Sequence, residues 1–189
     1  MQSLELLRQP LERESVQLLY QTGLKKTKEI ANNDLIDKQL QLAKSIDNKA
    51  FEHLELDEMW SFLLQKIFKL WIWVAICKKT KLILGFVVGN RGAKTGKKLY
   101  ETIQPYVNNQ TTYYTDYWEP YTKFLPTNQH IQSKKYTYTI EGYNSNFRQF
   151  VSSLRRKTKC YSKSKEGATS RKTNFIYNHN QQKLNKLSI

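Results

Sequence analysis

The chain has 189 residues, 31 Lys+Arg against 16 Asp+Glu and a net charge of +15, enough for one domain with a real core plus an appendage. Its 39% apolar and 13% aromatic content against 25% charged residues excludes wholesale disorder. No apolar run reaches the roughly 18 to 20 residues of a membrane span, and the start MQSLELLRQPLERES carries acids where a secretory leader needs a basic, then apolar, run, so a cytoplasmic protein is expected.

Residues 1 to 46 read as helical, with apolar positions at Leu4, Leu7 and Leu11, then Val16, Leu18 and Leu19, then Ile30, Leu35, Ile36 and Leu40. Gly23 breaks the run, and residues 1–50 are expected to form a helical region, at most a partial helix-turn-helix. From Phe51 the period becomes two: Phe51, His53, Glu55 and Asp57 share one side, and Glu52, Leu54, Leu56 and Glu58 the other, which predicts a strand over 51–57. The aromatic and β-branched stretches 70–79 and 81–88 predict a hairpin. Spacing at Leu99, Ile103 and Tyr106 predicts a helix over 93–106, ended by Pro105. Strands are expected over 111–116 and within 130–139, a short helix over 119–125 and a long helix from Glu141 to about Lys157. The order β-β-β-α-β-α-β-α is that of a mixed α/β sheet, three antiparallel strands first and crossover-connected strands after. The segment 161–189 is polar and basic with little periodicity, and an unstructured tail or loose DNA contact is expected there.

The charge is uneven: residues 1–56 carry 8 bases and 9 acids, whereas 57–189 carry 23 bases and 7 acids. A polyanion is the expected partner, although a solvated basic surface gives the same count. The acids from residue 57 onward are only Asp57, Glu58, Glu101, Asp116, Glu119, Glu141 and Glu166, and carboxylate chemistry there must draw on this set. In a mixed sheet the ends of the first strand and of the strand after the first crossover can be neighbours, which brings Asp57 toward Asp116, while Glu141 opens the last helix. On a helical wheel Tyr143, Phe147, Phe150, Val151 and Leu154 form one stripe, expected to be core, and Glu141, Asn144, Ser145, Arg148, Ser152 and Arg155 lie opposite. A first-turn Glu is equally a favourable helix-dipole contact, and a strand-end Asp a turn cap. Cys77 and Cys160 form no Cys-x-x-Cys pair, so neither a disulfide framework nor a four-cysteine zinc site is encoded.

Several short segments, in shared order and spacing over about residues 55–165, resemble the transposases of the insertion-sequence-1 type, DDE transposases with an RNase H-like fold. They are Asp57-Glu58-Met59-Trp60-Ser61-Phe62; Leu70-Trp71-Ile72-Trp73 with Ala75; and Gly89, Arg91, Thr95 and Leu99. Further along come Thr115-Asp116-Tyr117-Trp118 with Tyr121, Ile140-Glu141 with Asn144 and Arg148, and finally Leu154-Arg155-Arg156-Lys157-Thr158 followed by Cys160-Tyr161-Ser162-Lys163-Ser164. The resemblance implies an RNase H-like catalytic domain over 51–160, with Asp57, Asp116 and Glu141 as catalytic acids and metal ligands. It implies two Mg²⁺ or Mn²⁺ ions, held roughly 3.5 to 4 Å apart in such sites, with an all-oxygen donor set suited to Mg²⁺. Glu58 alternates to the opposite face of its strand and Glu119 begins the short helix, so neither is expected as a ligand. The four tryptophans are expected as packing groups, Trp118 also lying close enough to the acids to stack on a base.

The function implied is metal-dependent cleavage and strand transfer of an insertion sequence by in-line phosphodiester displacement, at the nucleoid. The partner is double-stranded DNA, at element ends and target, bound by a homo-oligomer, with backbone phosphates contacted by Arg148, Arg155, Arg156, Lys157 and Lys159; no membrane or disulfide partner is expected. Members of the family commonly begin with a cysteine-rich zinc segment and a helix-turn-helix. No cysteine precedes Cys77, so a 5′-truncated copy or the catalytic half of a split product is expected. The alternative is a non-catalytic DNA-binding fragment that inhibits transposition.

Overall fold

The computed structural model describes residues 25–154 and 162–187. The expected turn at Gly23 and the first helix of a helix-turn-helix lie outside the described residues. The elements are α1 (Lys25–Ile46), β1 (His53–Leu63), β2 (Gln65–Cys77), β3 (Ile83–Gly89), α2 (Ala93–Ile103), β4 (Thr112–Thr115), β5 (His130–Gln132), α3 (Tyr138–Phe150) and α4 (Lys165–Leu187). The five strands form one mixed sheet in the order β3-β2-β1-β4-β5. Pairing is antiparallel for β1 with β2 and β2 with β3, and parallel for β1 with β4 and β4 with β5. This is the expected RNase H-like arrangement.

Strand β1 is central and buried on both sides along much of its length, so alternation fades after Asp57 and the strand runs six residues beyond its predicted end. Its even positions, Leu54, Leu56, Glu58 and Trp60, pair across to Cys77, Ala75, Trp73 and Trp71. This is the face covered by α2. The approach is close enough that a Cβ at Gly96 would overlap the Phe124 ring and lie 2.9 Å from the Trp73 ring, and Tyr100 meets Tyr113 edge-on at 5.7 Å. The odd positions carry Glu55 and Asp57 and face α3.

Two elements differ from the sequence reading. The long helix expected over 141–157 starts earlier and stops at Phe150; Val151 is extended (φ −93°, ψ 97°) and a separate turn of 3-10 helix follows over Ser152–Leu154. A β-branched residue followed by two serines is weak helix-forming sequence. Phe147, Val151 and Leu154 are buried as expected, but Phe150 is exposed, and Asn144, read as part of the outer stripe, is buried.

The second difference is α4, which occupies most of the segment expected to lack structure. Its buried positions include Ala168, Ile176 and Leu184 together with Lys172, Thr173 and Asn180, so the inward face is half polar and leaves little hydrophobic periodicity to detect. The polar groups are nevertheless specific. Asn180 accepts from Ile83 N–H at 2.9 Å and donates to Ile83 C=O at 3.0 Å, closing the free edge of β3 as a neighbouring strand would. Gln39 of α1 donates to Tyr177 C=O and Gln181 Oε1, and Phe175 packs on Phe147 of α3 at 4.6 Å. No described helix is long and apolar enough to cross a membrane.

Burial, with Arg171 adding to it, pushes the Lys172 ammonium down to about 7, and Nζ donates to Ala168 C=O at 2.6 Å. Between pH 7 and the usual lysine range the unfolded chain therefore holds a proton that the folded chain has released, so this group makes stability rise with pH over that interval. Lys172→Met should raise the urea midpoint at pH 7 and flatten the rise. Parallel midpoint-against-pH curves for the two proteins would show that Lys172 is not responsible.

Candidate active site

Asp57 lies on β1 and Asp116 follows β4. The parallel register sets His53 opposite Thr112, Leu54 opposite Tyr113 and Glu55 opposite Tyr114, and two further residues along both chains bring Asp57 beside Asp116. Both are half-buried. Asp57 Oδ1 accepts from the Glu58 N–H at 2.8 Å and Oδ2 from the Asn144 side-chain amide. Asp116 Oδ1 accepts from Trp118 N–H at 2.9 Å, an Asx-type turn that holds the carboxylate at the strand end.

Glu141 sits in the first turn of α3 and is exposed. That helix is tied to β1 at three successive levels. Glu55 Oε2 accepts from the Ile140 N–H at 2.8 Å, Asn144 reaches Asp57, and Arg148 donates to Trp60 C=O at 3.3 Å. Glu55 is fully buried and its Oε1 has no hydrogen-bond partner. It takes the place of an N-cap, a carboxylate satisfying a free N–H at the positive end of the helix. Sequence reasoning missed Glu55 as a site residue, although alternation already put it on the same side of the strand as Asp57.

Burial, then the neighbouring Glu58 carboxylate, and also the charges of Asp116 and Glu141 push the Asp57 carboxyl up to about 7, against the lowering effect of the Glu58 N–H. The three acids are thus electrostatic neighbours, and ionising all of them together is unfavourable without a counter-charge. Among the described residues, no three His, Cys, Asp or Glu side chains gather closely enough to hold a metal ion by themselves.

Glu58 faces the other way, as alternation predicts, and is buried in its own network. Arg91 Nε and a terminal guanidinium nitrogen both lie 2.9 Å from Oε1, and the Tyr121 hydroxyl donates to Oε2 at 2.6 Å. The guanidinium is stacked between two indoles, 4.5 Å from the Trp71 ring and 4.0 Å from that of Trp118. Burial raises the Glu58 carboxyl, with Tyr121 and Arg91 opposing. Trp118 therefore supports the Asp116 turn through its N–H and holds Arg91 with its ring. Glu119 is exposed, opens a 3-10 turn (Glu119–Lys123) and pairs with Lys123 at 2.9 Å. Of the expected phosphate contacts, Arg148 is the one described; Arg155, Arg156, Lys157 and Lys159 lie outside the described residues.

Arg91→Ala would leave the Glu58 carboxylate buried with only Tyr121 and empty the slot between the indoles. A loss of about 1–3 kcal/mol is expected by urea denaturation, with Arg91→Lys recovering only part of it because an ammonium cannot stack and fork at once. A loss below a few tenths of a kcal/mol would mean that the stack is incidental.

The profile of the IS1 transposase family matches residues 51–182, from the turn before β1 through most of α4. The iso-IS1n protein InsB of Shigella dysenteriae is 35% identical over 112 residues, covering 59% of this chain and 84% of that protein. The IS1 4 protein InsB of Escherichia coli K12 is 34% identical over the same length, and there the matched part is 66% of the relative. Among solved structures, the Mos1 strand transfer complex is similar over 84% of this chain and 58% of that one, with 11% identity and a TM-score of 0.45. The Mos1 mariner catalytic domain is similar over 84% and 89%, with 12% identity and a TM-score of 0.40. A profile that takes in the whole sheet, with relatives about one-third identical over 112 residues, assigns the chain to the IS1 transposase family.

Proposed function

We propose that this chain is the catalytic part of a DDE-type transposase, cleaving and joining DNA by metal-dependent in-line displacement with Asp57, Asp116 and Glu141 as its acids. The observation that carries the reading is the register of β1 and β4 together with the anchoring of α3. Asp57 in mid-β1 stands beside Asp116 just past the end of β4, and the helix bearing Glu141 is fixed to the same face through Glu55 and Asn144. The residues fit a hard divalent cation in donor chemistry: carboxylate oxygens alone, with Asp57 already burdened by negative neighbours that a cation would relieve. Mg²⁺ is usually held by one or two carboxylates, retained water and substrate phosphates, so a pair of aspartates with a third acid nearby is a workable set without a closed cage.

In this reading Asp57, Asp116 and Glu141 would hold the ions, the two aspartates from the sheet and Glu141 from the helix. Bound Mg²⁺ or Mn²⁺, two ions in the full site, would supply activation of the attacking oxygen and charge stabilisation at the leaving one. Asn144 orients the Asp57 carboxylate by occupying one of its oxygens, and the Trp118 N–H does the same for Asp116. Arg148, beside the site on α3, and the basic run at 155–159 supply contacts to backbone phosphates, which position DNA without reading its sequence. Element-end DNA and target DNA are the proposed substrates, and a homo-oligomer on DNA the proposed working form.

The test is cleavage and joining of duplexes carrying the element's own inverted-repeat ends. Asp57→Asn, Asp116→Asn and Glu141→Gln should each abolish metal-dependent product while leaving DNA binding intact, whereas Glu119→Gln should change the rate less than about threefold. Activity that persists in all three active-site variants overturns the mechanism. Binding to end DNA without any product from the unaltered chain, even with a relative's recognition segment added in trans, favours a non-catalytic DNA-binding role instead.

A further inference from the structure

The hairpin between β1 and β2 runs past the sheet. The first five residues of β2, Gln65 to Lys69, are all exposed. The ladder is irregular there: Phe62 pairs with Lys69 and Leu63 with Gln65, so Lys66, Ile67 and Phe68 bulge from the end of the ribbon. Ile67 is 76% exposed, Phe68 56% and Leu64 50%. Leu64 also has φ of 56°, the left-handed region where a bulky residue is uncommon and glycine would be easier. The turn itself is held, because Leu64 N–H donates to Ser162 C=O at 3.1 Å and Leu63 bridges Ser162, which leaves the bulge at Lys66, Ile67 and Phe68 standing out beside a fixed turn.

Three large apolar side chains in five residues would ordinarily mark a site of contact, and the charges around them indicate with what. Lys66 and Lys69 flank the pair Ile67–Phe68, and no acid occurs between Glu58 and Glu101. The β1–β2 ribbon runs on past the end of β4, in the direction in which β1 leads away from Asp57 and Asp116. Leu63 is six residues past Asp57, roughly 20 Å along an extended strand, or about six base-pair steps of B-DNA at 3.4 Å each. A second copy of this chain would bring like-charged lysines together, whereas a polyanion lying across the strand ends meets both lysines and the apolar tip.

We propose that this hairpin tip is a DNA wedge: Phe68 and Ile67 enter the stack or minor groove of duplex DNA held at the candidate site, and Lys66 and Lys69 grip the flanking phosphates. Apolar wedges of this chemistry unstack a base step and bend the duplex around the protein. A phosphodiester near the acids would thereby be presented on distorted, more accessible DNA. The proposal deepens the transposase reading and rests on its DNA contact.

The test is binding of the full chain to a duplex of about 30 base pairs and arbitrary sequence, with 2-aminopurine substituted in the strand to report unstacking. The unaltered chain should bind and raise the 2-aminopurine fluorescence. The double variant Ile67→Ser/Phe68→Ser, at exposed positions, should bind about tenfold more weakly and lose the rise. Its slope of log affinity against log salt should be unchanged. Lys66→Gln/Lys69→Gln should instead flatten that slope by about 2. Unchanged affinity and fluorescence in the serine variant would overturn the wedge alone. Loss of a dimer in sedimentation with DNA affinity retained would assign the tip to a second copy and also overturn it. Failure of the unaltered chain to bind any duplex would instead contradict the underlying DNA reading.

Discussion

The Glu55 carboxylate, buried on β1, receives the Ile140 N–H at the start of α3, and the placement of that helix, with Glu141 on it, against the Asp57 face follows from that bond. It fixes where α3 begins, and hence where Glu141 stands relative to Asp57. Asn144 and Arg148, one and two turns further along, then meet β1 at Asp57 and Trp60, so the helix runs alongside the strand. A buried carboxylate at this point is costly unless its oxygens are met. The free N–H groups and positive end of a helix are a fitting partner, and one oxygen still remains without one.

The two faces of β1 divide the work. On one, Asp57 is left with partners that orient it but do not neutralise it, and its carboxyl rises to about 7. On the other, one residue along, Glu58 is paired with Arg91 and Tyr121, and the guanidinium is clamped by Trp71 and Trp118. One acid is thus left without a neutralising partner while its neighbour braces the turn after β4. Because Trp118 both stacks on Arg91 and donates its N–H to Asp116, the bracing of one face sets the carboxylate that faces the other.

The order of elements along the chain and the β2–β3 hairpin were legible because β2 and β3 are runs of aromatic and β-branched residues and α2 has clean helical spacing. The alternation of Glu55, Asp57 and Glu58 assigned their faces correctly, and the crossover through α2 accounts for the parallel direction of β4, whereas the register that sets Asp116 beside Asp57 is seen only in the folded sheet. Three features were hidden for physical reasons. The far half of β1 is buried on both sides, which erases alternation. Glu55 looks like a solvated charge until the helix that it caps is folded onto it. In α4 the inward positions Lys172, Thr173 and Asn180 are polar, and their partners, Ala168 and Ile83 among them, become apparent only in three dimensions.

The central claim is that β1, the turn after β4 and the first turn of α3 together form one divalent-metal site. Replacing Mg²⁺ with Fe²⁺ under ascorbate and peroxide generates hydroxyl radicals at the bound ion, which cut the nearby backbone. Mass-spectrometric mapping on the DNA-bound chain should show three cut clusters, near residues 57, 116 and 141, all suppressed by excess Mg²⁺ and all lost together in Asp57→Asn. Cuts at only one of these segments, or a pattern that survives in Asp57→Asn, would show that the three acids do not share an ion.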